Sequence, residues 1–163
     1  MRTIQLHTLK DIDKKILRNL IEDGQQPFSE IAGKLNTTRQ NVSQKIKKLK
    51  EKNLITSFTI ELNNHLIEEL KVKAYVLFRE DTNPEIREEN EKKLKDIPQI
   101  TRVSRLFGNY DVIVELYGRD NNEITEIINQ IHTLRGISGT ETFIVHTIIK
   151  NDEKAPILNL LSV

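Results

Sequence analysis

The sequence has no cysteine and no tryptophan, and only five phenylalanines and three tyrosines in 163 residues. Without cysteine there can be no disulfide framework, no thiolate metal site and no cysteine nucleophile. No apolar run approaches the roughly 18–20 residues that a membrane-spanning helix needs. The opening residues MRTIQLHTLK lack the apolar core and small-residue cleavage site of a secretory signal, so a cytoplasmic location is expected. Catalytic signatures are missing as well: there is no P-loop, no GxGxxG and no GxSxG. His7, His65, His132 and His146 fall in separate segments, with no i, i+4 pair and no carboxylate at metal-ligand spacing. His146 lies in an apolar run and reads as a packed or hydrogen-bonded side chain. An enzyme or a metal protein is therefore not expected, and no cofactor is called for.

What remains is the composition of a globular chain, 37% hydrophobic and 30% charged, with room for one ordinary domain or two small ones. The net charge of +1 hides an asymmetry. Residues 1–57 carry 12 Lys and Arg against 6 Asp and Glu, and residues 58–163 carry 13 against 18. A basic first third on an acidic remainder points to two modules with different partners, the basic one being the candidate for nucleic acid.

In the basic module, Ile12, Ile16, Leu17, Leu20 and Ile21 recur at helical spacing, with Asp11 as a candidate N-cap and Gly24 as a stop. PFSEIAGKL forms a second helix, Pro27 suiting its first turn. After LNTT, Thr38 caps a third helix whose buried stripe is Val42, Ile46 and Leu49. Two short helices separated by a few residues make a helix-turn-helix. The third helix also presents Arg39, Gln40, Asn41, Ser43, Gln44, Lys45, Lys47 and Lys48. Arg, Gln and Asn match the paired donors and acceptors of guanine and adenine edges. Residues near the N-terminus of such a helix reach bases, and lysines further along meet phosphates. Against this stands the plainer possibility that a Lys-rich helix face is merely solvated. Double-stranded DNA is the expected partner.

Phe58 to Leu62 alternates like a wing or hinge strand, and NNHLIEEL links it to the acidic module. There, residues 71–80 read as a strand, with Val72, Ala74, Val76 and Phe78 on one face. Asn83-Pro84 opens a charged helix that Pro98 ends, its carboxylates alternating with lysines as a solvated face would. Residues 100–107 and 110–118 form a hairpin about Gly108-Asn109. Asp120 or Asn121 caps a helix striped by Ile124, Ile127, Ile128, Ile131 and Leu134, and residues 140–150 form a last strand. The order β-α-β-β-α-β is the ferredoxin-like arrangement. The fold class is α+β, a (winged) helix-turn-helix domain over 1–57, a hinge and linker over 58–70, the ferredoxin-like domain over 71–150 and a tail over 151–163. Several strands read as apolar on both faces, so the face without helices should meet a second copy.

Taken in order, LKDID (9–13), Glu30-Ile31-Ala32 with Leu35, then Val42, Ile46 and Leu49 followed by Leu54-Ile55, and Phe107-Gly108-Asn109-Tyr110-Asp111 resemble the Lrp/AsnC family of feast/famine regulators. The resemblance covers about Leu9 to Lys150. It implies a DNA-binding domain, a hinge strand exchanged between subunits, a ferredoxin-like effector domain and homodimers that assemble into tetramers, octamers or larger rings. It also implies an amino-acid effector bound where dimers meet, with Gly108, Asn109, Tyr110, Asp111, Asp120, Thr140 and Thr142 at the positions that line such clefts. The chemistry is compatible. A zwitterion needs N–H or hydroxyl donors for its carboxylate and an acceptor for its ammonium. Asp111 could equally brace the hairpin, and Asp120 could simply cap its helix. Two departures stand out. Gln26 occupies a position that is commonly apolar in the family, and the tail, with Pro156, Ile157, Leu158, Leu160 and Leu161, should dock on the body or on a neighbouring dimer. Alternatives are an ACT-like regulatory protein of amino-acid metabolism, which leaves the basic helix unused, and an architectural, chromatin-type DNA binder. An RNA-binding sheet would need aromatic residues on the central strands that VSRLFGNY does not supply.

Overall fold

Helical periodicity in the basic module becomes three helices, α1 (Asp11–Glu22), α2 (Phe28–Lys34) and α3 (Arg39–Glu51). The computed structural model describes residues 4–162, the side chain of His65 excepted. Helix α1 begins at Asp11 instead of being capped by it. Lys10 is the N-cap without a side-chain bond, and Asp11 and Asp13 occupy the first turn, where their charge favours the positive end of the helix dipole. Ile16, Leu20, Ile31, Ala32, Val42 and Ile46 form the core, with Ile12, Phe28, Leu35 and Ile55 packed against it. A smaller cluster joins Leu17 of α1 and Leu49 of α3 to Leu161, with Leu6, Leu9, Ile21 and Leu54 around it. Gln26 is nearly buried, and its amide donates to Glu30 across 3.4 Å.

Residues up to Glu61, together with those from Lys150 onward, form one compact unit, and Leu62–Ile149 form a second. The tail thus belongs to the helical unit, where a sixth helix, α6 (Ala155–Leu160), is seated. The strand expected over Phe58–Leu62 is irregular, with no ladder partner among the described residues. Phe58, Ile60 and Leu62 are 44%, 69% and 61% exposed. A strand exists through its inter-strand hydrogen bonds, and the described residues supply none at this point.

The second unit runs β1 (Val72–Glu80), α4 (Pro84–Lys95), β2 (Ile100–Arg105), β3 (Val112–Gly118), α5 (Asn121–His132) and β4 (Ile137–Ile144). The sheet order is β2-β3-β1-β4 with every pair antiparallel, the expected βαββαβ arrangement. Alternation aims Ala74, Val76 and Phe78 of β1 and Val112, Val114 and Leu116 of β3 into the core, against Leu94, Ile124, Ile127 and Ile131. Two boundaries differ from expectation. The β2–β3 connection is a six-residue loop, Arg105 pairing with Val112, so Gly108-Asn109 lies within a wider turn. Strand β4 starts at Ile137 and stops at Ile144. Its partner β1 begins at Val72, and after Val145 donates to the Lys73 carbonyl (2.9 Å) nothing is left to pair with. A register shift between Leu77 and Arg79 falls opposite Gly139, whose φ of 58° is open to glycine at little cost.

The face of the sheet without helices is less apolar than expected. Leu77 and Ile113 alternate there with an ion pair, Lys73 to Glu115 at 3.0 Å, whose side chains are only 15% and 18% exposed. Tyr75 and Tyr117 bring their rings to 5.3 and 5.4 Å from the Lys73 ammonium. Burial alone would lower that ammonium's pKa, but Glu115 and the two tyrosines outweigh it and push it up to about 12. On the other face α4 contains a polar surprise. Asn90 is fully buried and reads the Arg135 backbone in both directions, donating to its carbonyl (2.9 Å) and accepting from its N–H (3.3 Å). It also donates to Glu80 (3.1 Å), a buried carboxylate that accepts from Arg105 at 2.8 Å.

Candidate functional site

Helix α3 is held by its inner stripe. Val42, Ile46 and Leu49 are 0%, 4% and 3% exposed, which fixes the opposite side as the one turned to solvent. Thr38 caps the helix through Oγ1, accepting from the Asn41 N–H at 3.1 Å, an interaction worth about 1 kcal/mol. Arg39, Gln40, Ser43, Gln44, Lys47 and Lys48 are all exposed. This puts two long polar side chains at the N-terminal turn and cations farther along, the layout for base edges and then phosphates.

Two residues expected on this surface are engaged elsewhere. Asn41 is half-buried and donates through Nδ2 to Thr37 Oγ1 at 2.8 Å. Lys45 reaches inward to Asp13 of α1, Nζ to Oδ1 at 2.7 Å, with each side chain 18% exposed. The partner Asp13 carries no sequence signal, since 32 positions separate the two. Lys45 therefore fastens α1 to α3.

In the second unit the 108–111 loop sits at the far end of β1. Asp111 extends the β1–β3 ladder by one step with mixed groups: its N–H donates to the Phe78 carbonyl (3.0 Å), and its carboxylate accepts from the Glu80 N–H (3.0 Å). Its carbonyl accepts from the Leu106 N–H at 2.8 Å, closing the loop. Arg79, not singled out in the sequence, donates to the Asn109 carbonyl at 2.9 Å. Tyr110 hydrogen-bonds the Glu141 carboxylate, which raises the phenol's pKa. Glu141 pairs with Leu77 and Thr140 follows the Gly139 irregularity, so both lie near the end of the sheet that carries Gly108 to Asp111. Thr142 instead pairs with Val76, at the middle of β1 and on the other face from Glu141. Alternation of β1 could have pointed to Arg79, which lies two residues beyond Leu77 on the same face.

Asp120 is at the other end. Its carboxylate accepts from the N–H groups of Asn122 and Glu123, both at 2.9 Å, and so caps α5. The seven residues of β3 separate it from Asp111 by about 24 Å at about 3.4 Å per residue. Within one chain it cannot join the loop around a ligand of amino-acid size. Among the described residues no group of three or more His, Cys, Asp or Glu could hold a metal ion, and no helix is long and apolar enough to cross a membrane.

Two family models match the chain: a winged helix-turn-helix DNA-binding domain over residues 9–56 and an Lrp/AsnC ligand binding domain over 73–155. Among similar proteins, the HTH-type transcriptional regulator FL11 of Pyrococcus furiosus is 28% identical over 149 residues, 91% of this chain and 97% of the relative. The HTH-type transcriptional regulator LrpA of Pyrococcus horikoshii is 31% identical over 127 residues, 77% and 88% of the two chains. Of solved structures, Escherichia coli AsnC superposes with a TM-score of 0.80 at 19% identity, over 88% of this chain and 95% of its own. A Neisseria meningitidis transcriptional regulator solved as an L-Met complex superposes with a TM-score of 0.81 at 19% identity, over 88% and 94%. These relatives are regulators, not enzymes.

Proposed function

This chain belongs to the Lrp/AsnC family of transcriptional regulators, and we propose that it reads a specific operator through α3 while an amino acid tunes its assembly on DNA. The observation that carries the reading is the outward face of α3. Its inner stripe locks Arg39 and Gln40 onto the exposed N-terminal turn, where their paired donors and acceptors suit guanine and adenine. Lys47 and Lys48 follow them toward the phosphates. The unpaired segment from Phe58 to Leu62 is open to the same segment of a second copy, and a two-fold dimer brings two recognition helices to paired half-sites.

The effector's place is the end of the sheet that carries Gly108, Asn109, Tyr110, Asp111 and Thr140, with Thr142 farther along β4 toward its middle. Loop N–H groups and hydroxyls suit a carboxylate, and the exposed Glu141 suits an ammonium. Asp120 enters only if a second copy brings it there. A neighbour of the same fold is solved with L-Met, an effector of the same zwitterionic class. The ligand acts by binding one assembly more tightly than another, since equal affinity for both would shift nothing.

Footprinting on duplexes selected from a random pool tests the DNA half of the proposal. Protected half-sites spaced by whole helical turns are expected. Uniform coverage would favour an architectural role instead. A thermal-shift screen of the twenty amino acids tests the other half, because a ligand bound only by the native state raises its melting temperature by mass action.

A further inference from the structure

The helical unit is built from both ends of the chain. Leu161 is 1% exposed and packs with Leu17 of α1 and Leu49 of α3, inside a collar of Leu6, Leu9, Ile21 and Leu54. It is the C-cap residue of a six-residue helix, α6, none of whose own residues is buried. A helix that short is marginal in water even with the best composition, because nucleation is unfavourable and only a turn or so of propagation follows. Local order helps it. Asp152 accepts from the N–H groups of Lys154 (3.1 Å) and Ala155 (3.0 Å), Pro156 stands in the first turn, and Lys154 reaches Glu61 at 3.3 Å. These surface interactions are weak. With no residue of α6 itself buried, the buried Leu161 that follows it is the deepest anchor of this segment.

We infer that Leu161 is a positioning residue for the recognition helix, and that α6 is a clamp which exists only while seated. The inference rests on the reading of α3 as the DNA-contacting helix. Leu49, the residue Leu161 packs against, ends the buried stripe of α3, and its carbonyl also receives the N–H groups of Leu54 (3.0 Å) and Ile55 (3.3 Å). The C-terminal end of α3 is thus held by two devices, and the N-terminal part by Lys45–Asp13 and the main core. Unseating Leu161 opens the apolar slot between α1 and α3 to water and frees one end of the helix that carries Lys47 and Lys48. The clamp follows β4 in the chain, across the irregular residues 145–154.

The experiment compares full-length wild type with Leu161→Asp, Leu161→Ala and Leu161→Met, all at a temperature where far-UV circular dichroism shows them folded. Hydrogen exchange is read on peptides from α3 and from β1 and β3, and affinity is read on a random-sequence duplex at low salt. For Leu161→Asp, α3 amides are expected to exchange at least tenfold faster and duplex affinity to fall at least tenfold. Protection of β1 and β3 should be unchanged, and Leu161→Met should keep wild-type values. If Leu161→Asp does not fold, Leu161→Ala is decisive, with the same direction and a smaller change. Exchange in α3 and affinity within twofold of wild type would overturn the inference, as would an affinity loss no larger than the unfolded fraction. A wild-type protein that binds no duplex would instead sink the DNA-binding reading, and the exchange measurement would still decide the role of Leu161.

Discussion

Replacing Asp111 with alanine separates the two roles open to it, because its structural role has a calculable size. The carboxylate accepts one hydrogen bond from the Glu80 N–H at 3.0 Å, and Glu80 is 7% exposed. A hydrogen bond to a charged acceptor contributes about 1.5–3 kcal/mol, and orphaning a buried N–H costs about 1–3 kcal/mol. Asp111 itself is only half-buried, so water can enter the vacated space, and about 2 kcal/mol is the expected loss. For the second unit, Leu62–Ile149, that corresponds to a fall of about 8–16 °C in its melting temperature, read by circular dichroism. Asp111→Asn keeps a side-chain oxygen and should recover at least half. DNA affinity below the transition should be unchanged. If Asp111→Ala melts with the wild type, the carboxylate does not brace the end of β1, and its place in the loop must be explained by ligand contact alone.

Other outcomes follow from the same contacts. Arg39→Ala or Gln40→Ala should cost about 1–3 kcal/mol in operator affinity and relax base preference at one position; equal losses on operator and random DNA would count against base readout. Lys47→Ala or Lys48→Ala should weaken binding to all sequences alike and reduce the salt slope by about one unit each. Lys45→Ala should instead leave the salt slope unchanged and lower stability. A double-mutant cycle with Asp13→Ala should give a coupling of about 1 kcal/mol, and zero coupling would refute the fastening role. The Lys73 ammonium, raised by Glu115 and the tyrosines from an ordinary 10.5 to about 12 against the effect of its burial, contributes stability that is complete below about pH 10.5. That stability is lost as pH rises toward 12. Lys73→Met should flatten urea-denaturation stability over this window, and an unchanged pH profile would contradict the ion pair.

Periodicity made the elements legible wherever burial on one face decides the residue types. Val42, Ile46 and Leu49 marked the inner side of α3, and alternation in β1 marked Ala74, Val76 and Phe78. Local chemistry was equally readable, as with the Thr38, Asn83 and Asp120 caps. Pairings across long separations were not. Helical spacing sets Lys45 beside the Val42, Ile46 and Leu49 stripe and Lys47 and Lys48 away from it, but nothing in the sequence names Asp13 as the partner of Lys45. Asn90 sits in a run of charged residues that reads as solvated, yet it is buried because the Arg135 backbone needs a partner there. The end of β4 depends on where β1 begins, and the 58–62 segment has no ladder partner among the described residues. For the tail, the apolar residues announced that it docks, but six residues cannot say against what, since helical periodicity barely completes one cycle.

The central claim is that this chain discriminates among DNA sequences through the exposed N-terminal turn of α3. It is tested most directly by measuring affinity for a duplex selected from a random pool and for its scrambled counterpart across a salt series, with wild type and Arg39→Ala side by side. Wild type should prefer the selected duplex by about a thousandfold or more at physiological salt, with a steep loss of affinity for both as salt rises, and Arg39→Ala should shrink that preference about tenfold or more. Equal affinity of the wild-type protein for the selected and scrambled duplexes at every salt concentration would contradict it.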